Sequence, residues 1–294
     1  MRAAPAALDR VAPLLRCPLC GEAMASGDAG VRCGRGHSFD RARHGYLTLL
    51  GARGRRFAGD SAEQVAARER VLGSGVFDPV ADALAAVARD ALAGTPRPVV
   101  LDAGAGTGFY LDRVVDTVAE AAESAGDVRG VGTEISVAAA RRLARVNPRV
   151  AALVVDTWDG FPLADGCVDL VQVVFAPRNP AQFARVLRAG GTLVVAIPGP
   201  GHLEPLRTDS GMLAPAADKA ERLGADLAGA FEPGPVRVVD VRAPVPATIA
   251  VDLALMGPSG VHLDRARVAQ DVGADPTPVR VHVEVRSFRR RLPQ

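Results

Sequence analysis

From Pro98 onward the chain alternates short, β-branched apolar runs with amphipathic stretches of helical period. The pattern predicts strands at Val99 to Asp102, Val128 to Glu134, Val150 to Asp156, Val168 to Phe175 and Thr192 to Ile197. Between them it predicts helices at Tyr110 to Ala122, Ser136 to Arg145 and Pro180 to Leu187. The strands do not alternate apolar with polar, as expected when helices cover both faces, so the pattern predicts a parallel, doubly wound α/β sheet. The C-terminal third predicts a helix at Pro215 to Ala230, a strand at Val236 to Arg242, a helix at Pro246 to Met256 and a last strand at Val279 to Phe288. Upstream, Ser61 and Gln64 have the spacing of a capping box that opens a helix to about Leu72. A second helix, from about Pro79 to Leu92, stops at Gly94.

A chain of 294 residues has room for one large α/β core and a small appendage. The expected regions are a small N-terminal domain (1–55), a helical connector (56–97) and the α/β domain (98–294). The net charge is +2, from 35 basic and 33 acidic residues, so no global field demands a nucleic acid. The cations are nonetheless almost all arginine, Lys219 being the only lysine. Arginine suits phosphate and base recognition, and GC-rich coding produces the same bias. The N-terminus has no apolar signal region, and no apolar run reaches the roughly 18 residues that span a bilayer. The expectation is a cytosolic protein that does not enter a membrane.

The N-terminal region carries Cys17, Cys20, Cys33 and His37 in the pattern C-x2-C-x12-C-x3-H. Thiolates and imidazole select zinc, and two close pairs close a tetrahedron with no open position, which describes a structural site. Pro18, Gly21, Gly34 and Gly36 supply the turns that two metal knuckles need. A reducing compartment also favours metal over disulfide here.

The first α/β strand runs into Asp102-Ala103-Gly104-Ala105-Gly106-Thr107-Gly108, a glycine-rich turn at a helix start, where a ligand can lie against bare backbone. The next two strands end in Glu134 and Asp156, placed to take ribose hydroxyls and an adenine amine. Acidic strand ends around one glycine turn fit S-adenosylmethionine, whose sulfonium and amino group call for carboxylates rather than a pyrophosphate nest. The fourth strand ends in Phe175-Ala176-Pro177-Arg178-Asn179-Pro180, on the side where such sheets bind ligands. Phe175 could stack on a flipped base while Arg178 and Asn179 read its edge; equally, Asn179 could cap a helix that Pro180 begins. His202 follows the fifth strand in a Pro/Gly-rich loop on the same side.

With these segments, CPLC…CGRGHSFDRARHGYLTLL, GDSAEQVAARERVL, DAGAGTG, VFAPRNP, GGTLVVAIPGPGHL and MGPSGVH, the chain resembles the 23S rRNA guanine-N1-methyltransferases of the RlmA family along nearly its whole length. VFAPRNP and MGPS look most like the branch from Gram-positive bacteria that includes tylosin-resistance methyltransferases. The resemblance implies a Rossmann-like class I methyltransferase with a seven-stranded, mostly parallel sheet and an N-terminal zinc-binding domain. It implies zinc on Cys17, Cys20, Cys33 and His37, and S-adenosylmethionine held by Gly106, Thr107, Phe77 and His202. The family often has tyrosine where this chain has Phe77. The implied substrate is N1 of a guanine in a 23S rRNA hairpin, in naked rRNA or the assembling large subunit, with macrolide resistance as an associated role. A homodimer in which two zinc modules line one RNA cleft is a further arrangement open to such a chain.

Arg178 and Asn179 are the candidates to steady negative charge building on the guanine ring, with Glu204 and Asp209 as weak candidates for a base. Arg35, Arg41, Arg43, Arg53, Arg55 and Arg56 are candidate phosphate contacts, and the tail Arg286, Arg289, Arg290 and Arg291 a lesser one. Two other readings remain open at this point: a methyltransferase acting on a small molecule, and a zinc-ribbon RNA-binding protein whose α/β domain is only a scaffold.

Overall fold

A computed structural model describes residues 6–51, 59–121, 127–210, 212, 218–257, 260, 262–272 and 276–292. Arg53, Arg55 and Arg56, and part of the expected helix 215–230, fall outside them, as does the side chain of Asp209.

Five strands of the predicted alternation form as expected: β5 (Val99–Ala103), β6 (Arg129–Glu134), β7 (Val150–Val154), β8 (Val168–Val174) and β9 (Leu187–Pro198). They pair parallel. A long antiparallel pair, β10 (Phe231–Val245) and β11 (Thr277–Arg290), extends the sheet beyond β9. Successive strand residues feed opposite cores. Val100 packs with α3 (Asp78–Leu92) and α4 (Phe109–Ala121), while Val99 and Leu101 face α6 (Pro180–Val186) and α8 (Lys219–Leu227). This two-sided burial explains why the strands read as unbroken apolar runs.

The sheet has one strand more than the seven expected. The eighth, β4 (Leu47–Thr48), comes from the N-terminal region, and the order across the sheet is β10-β11-β9-β8-β5-β6-β7-β4. β4 pairs parallel with β7, and the Leu49 amide donates to the Val154 carbonyl at 3.0 Å. The rest of that region is α1 (Ala7–Val11), a 3-10 turn and a small antiparallel sheet of β1 (Met24–Ser26), β2 (Gly30–Cys33) and β3 (Ser38–Asp40).

The link from β7 to β8 contains no helix. The N-terminal segment covers that part of the sheet, with Leu8, Val11 and Leu15 sharing a core with Val131, Leu153 and Val171. It is tied to the β7–β8 link by Arg16 N–H to Pro162 O (2.9 Å) and Ala164 N–H to Leu14 O (2.8 Å). Cys17 and Cys33 belong to the same core. The described residues 6–51 are thus joined to the α/β unit through hydrogen bonds and shared apolar packing.

The connector forms α2 (Ala62–Gly73), with both halves of the capping box made: Gln64 N–H to Ser61 Oγ at 3.2 Å and Ser61 N–H to Gln64 Oε1 at 3.0 Å. The C-terminal region adds α7 (Leu206–Asp209), α9 (Ala247–Leu255) and α10 (Arg265–Val272). The sequence pattern did not announce α10: its single buried residue is Val268, so it has hardly any apolar stripe. Among the described residues no single helix is long and apolar enough to cross a membrane.

Candidate active site and metal centre

Each zinc knuckle is a tight turn around a glycine in the left-handed region. Gly21 (φ +75°) donates to Cys17 O at 2.8 Å, and Gly36 (φ +86°) donates to Cys33 O at 3.0 Å. The turns bring the Sγ atoms of Cys17, Cys20 and Cys33 and a His37 ring nitrogen within 4.8 Å of one another. The Cys20–Cys33 Sγ separation is 3.7 Å, and His37 Nδ1 lies 3.6 Å from Cys17 Sγ and 3.4 Å from Cys33 Sγ. A tetrahedron with Zn–S bonds of about 2.3 Å has edges of about 3.8 Å, so the donor set fits one structural zinc ion. Burial pushes the Cys33 thiol up, but backbone N–H groups of His37 and Arg35, with Cys20 and His37, outweigh it and bring the thiol down to about 7. That favours the thiolate a metal needs.

The strand ends gather the second constellation. After β5 the chain turns on Gly104 (φ +82°), Gly106 (φ +57°) and Gly108 (φ +92°). A β-carbon on Gly104 would lie 2.7 Å from Ala176 Cβ, so the turn is closed against the β8 loop. At Gly106 a β-carbon would meet nothing nearer than Arg68 Nη1, 3.7 Å away, which leaves its outer face open to a ligand.

Asp102 is buried. Its Oδ2 accepts from Gln172 Nε2 at 2.7 Å, while Oδ1 has no partner among the described residues. Burial raises its carboxyl to about 7, with the Gln172 amide opposing and Glu134 adding to the rise. An orphaned buried carboxylate oxygen is the kind of group a bound cation completes.

Glu134 braces the turn. It accepts from the Gly106 amide at 2.9 Å and from the Ile135 and Ser136 amides at 2.8 Å each. Its carboxyl is raised by burial, against the pull of the Ser136 and Gly106 amides. Oε2 makes one of these bonds, which leaves it a lone pair for a ribose hydroxyl. Asp156 is also buried; Oδ1 accepts from the Trp158 amide at 3.0 Å and Oδ2 is unpartnered, as an amine-binding carboxylate requires. Asp156 lines a cavity of about 630 Å³ whose lining also includes Cys17, Pro18 and Leu49 of the zinc segment.

Residues remote in sequence form an aromatic cluster beside the turn. Phe77, from the connector, has its ring centre 6.2 Å from those of Phe175 and His202, and Phe175 stacks on His202 at 5.9 Å. Phe175 holds a positive φ of 54° and is 41% exposed, a strained backbone position that keeps an aromatic face in solvent. His202 Nδ1 accepts from the His282 amide at 3.2 Å, which puts the proton of the neutral ring on Nε2. Burial, with Arg207 and His282, lowers His202 to about 4, so the ring stays uncharged at neutral pH. A neutral ring can lie beside a sulfonium without repulsion.

Sequence reasoning missed two residues here. Tyr110 packs edge-on against Phe175 at 6.5 Å. Arg68, on α2, reaches over the glycine turn, pairs with Asp60 and donates to Met256 O at 2.8 Å. Asp60 O in turn accepts from Ser136 Oγ at 2.7 Å. Asp60 of GDSAEQ and Met256 are therefore joined through Arg68 near Gly106, although their texts alone do not suggest it.

The candidates for catalysis divide. Asn179 caps α6 through Gln182 N–H (3.4 Å), and its amide donates to Thr157 O at 3.0 Å, tying the loops after β7 and β8 together. Arg178 is half-buried and has no ion-pair partner among the described residues. Glu204 is engaged by Thr208 Oγ1 (2.8 Å) and by Arg207, which hold its carboxyl below the ordinary range and make it a weaker base.

Several candidate phosphate contacts are also engaged. Arg35 pairs with Glu22 at 3.0 Å, Arg41 with Asp9 at 2.9 Å and Arg291 with Glu232 at 3.1 Å; Arg286 pairs with Glu284, and Arg290 donates to Leu187 O.

The sheet order, the glycine turn beside the buried Asp102 and Asp156 and the half-buried Glu134, and the Cys3His cluster packed on the same core define a class I S-adenosylmethionine-dependent methyltransferase that carries a zinc ribbon. The zinc-ribbon family described as "RlmA, N-terminal" matches residues 15–56. A Micromonospora griseorubida protein, provisionally named a 23S rRNA (guanine-N(1)-)-methyltransferase, is 40% identical over 95% of this chain and 97% of its own. The Streptomyces fradiae 23S rRNA (guanine(748)-N(1))-methyltransferase is 38% identical over 89% of this chain and 91% of its own. The chain belongs to the family of 23S rRNA (guanine-N1)-methyltransferases. Among solved structures, the YcgJ protein of Bacillus subtilis aligns with 67% of this chain and 93% of its own at a TM-score of 0.46 and 13% identity.

Proposed function

We propose that the chain is a cytoplasmic enzyme that moves the methyl group of S-adenosylmethionine to N1 of a guanine in a 23S rRNA hairpin. The observation that carries this reading is the glycine turn with its unpartnered carboxylate oxygens on Asp102 and Asp156, on one core with a zinc ribbon, in a chain of this family. S-adenosylmethionine would supply the activated methyl: guanine N1 would take it from the sulfonium, leaving a neutral thioether, and give up its proton to solvent. Asp102, Glu134, Asp156 and the turn residues Gly104, Gly106 and Thr107 bind the cofactor, and Phe77 and His202 pack beside it. Phe175 offers its exposed face to the extruded base. Arg178 is the cation that steadies charge on the ring and O6 as N1 loses its proton. Asn179 positions the two loops rather than touching the base.

No described carboxylate is placed as a base, and in this reading the chain's contribution is to orient the extruded guanine against the methyl donor. Labelled methyl transfer to unmodified 23S rRNA, with primer extension, should show one stop at a guanine. Cofactor binding without rRNA labelling, but with labelling of a small acceptor, would overturn the reading. Resistance to tylosin-type macrolides belongs to the same proposal and is read as a raised inhibitory concentration on expression. A homodimer with both zinc ribbons facing one RNA cleft also belongs to it and is read by light scattering.

A further inference from the structure

In the zinc module Arg35 is paired with Glu22 and Arg41 with Asp9, whereas Arg43, at the seam with the α/β unit, has no carboxylate partner among the described residues. Arg41 and Leu47 bridge the base of a tight hairpin, Ala42 to Tyr46, which Gly45 (φ +96°) presses against α5 (Val137–Val146); a β-carbon there would touch Ala144 Cβ at 3.5 Å. The hairpin tip carries Arg43 and His44, and α5 presents Arg141 and Arg145, one turn apart, to the same place. Arg145 Nη2 lies 2.6 Å from His44 Nδ1, and Arg43 Nε lies 3.2 Å from His44 Nε2. A neutral imidazole has one lone pair to offer and a charged one has none, so at least one guanidinium always lacks its acceptor.

The acids nearby are already used: Glu69 is taken by Arg142 at 2.6 Å, and Asp112 accepts from Asn147 at 2.8 Å. Arg141 is exposed and has no ion pair among the described residues. His44, Arg141 and Arg145, with Glu69 and Asp112, border a cavity of about 720 Å³ that also touches Thr107 of the glycine turn. Burial, with Arg43, Arg145 and Arg141, lowers the His44 pKa, as excess positive charge requires.

We propose that this seam between the zinc module and α5 binds the phosphodiester backbone of the RNA substrate through Arg43, His44, Arg141 and Arg145. The proposal rests on the rRNA reading above. Guanidinium groups lacking acceptors suit phosphate oxygens, which accept several hydrogen bonds and carry charge. The zinc module then acts less through an outward basic face than by holding Arg43 and His44 against α5, so that one RNA strand passes from the ribbon to the edge of the cofactor turn.

The test is filter binding of a 23S rRNA hairpin fragment over a range of KCl concentrations, comparing wild type with Arg141→Gln/Arg145→Gln. The double variant should bind at least tenfold more weakly. Its slope of log affinity against log salt should flatten by about 0.7–0.9 for each phosphate that the variant no longer neutralises. Calorimetric S-adenosylmethionine binding should stay native, which also reports folding. Arg35→Gln, which removes an arginine already paired with Glu22, should change neither quantity. If the double variant does not fold, Arg141→Gln alone carries the test, with a flattening of about 0.7–0.9 for its single phosphate. Native cofactor binding with unchanged RNA affinity and slope would overturn the proposal. Failure of the wild type to bind rRNA would instead bring down the functional reading itself.

Discussion

The number of protons released when S-adenosylmethionine binds should change steeply between pH 6 and pH 8. Asp102 is the reason: burial raises its carboxyl from 3.8 to about 7, and one oxygen has no partner. Below pH 7 the unliganded site mostly holds the acid, yet the cationic cofactor requires the carboxylate. Binding then expels about 0.9 proton at pH 6 and about 0.1 at pH 8, and affinity rises up to about tenfold per pH unit until pH 7. The free chain shows the opposite trend. A folded-state carboxyl raised above its unfolded value favours folding at low pH, so the Asp102 contribution to stability falls as pH rises through the window from 3.8 to about 7. Three decades of shift set an upper bound of about 4 kcal/mol.

Calorimetry in two buffers of different ionisation enthalpy measures the released protons directly. Glu134 is also raised by burial, so the deciding quantity is the difference between wild type and Asp102→Asn. The variant should lose most of the release at pH 6, bind the cofactor more weakly and, without ligand, melt higher than wild type at pH 8. Equal proton release by both proteins would refute the assignment of Asp102 as the site's titrating carboxylate.

Other outcomes follow from the same geometry. Cys17→Ser should lower the zinc content found by elemental analysis and the melting temperature of the whole chain in one transition, because Cys17 shares a core with Leu153 and Val171. Two separate transitions would show that the core is not shared. Removing zinc by chelation should weaken S-adenosylmethionine binding as well as RNA binding, since the zinc segment walls the cavity that Asp156 lines; an unchanged cofactor affinity would place the adenine elsewhere. Gly132→Ala would set a β-carbon 2.8 Å from both Leu143 Cδ atoms, an overpacking worth about 1–3 kcal/mol by denaturant unfolding. Asp252, buried between Arg70 (2.6 Å) and Arg265 (2.9 Å), is held below the ordinary carboxyl range despite burial, so its contribution is present at neutral pH and lost as pH falls below about 4. Asp252→Asn should cost about 1–3 kcal/mol at pH 7, and an unaltered unfolding midpoint would contradict this.

What the sequence by itself determined is local. The zinc-ligand spacing from Cys17 to His37, the glycine turn and each single strand with its acidic end are short stretches of chain. Side-chain chemistry and backbone freedom suffice to read them there. The strand and helix succession was legible for the same reason, because each element's period is written in its own residues.

Only the tertiary structure decided what depends on contacts between distant segments. β4 could add to β7 only because the β7–β8 link has no helix and the N-terminal segment fills that face. Arg68 came to lie over Gly106 because α2 docks near Met256, 188 positions away. Asn179 proved to be a cap and a tie between loops. Of the candidate phosphate contacts, Arg35 and Arg41 proved to be paired while Arg43 joined an uncompensated seam, a distinction that composition cannot make. Charge in a sequence counts residues, whereas the field at a surface depends on which charges the fold sets side by side.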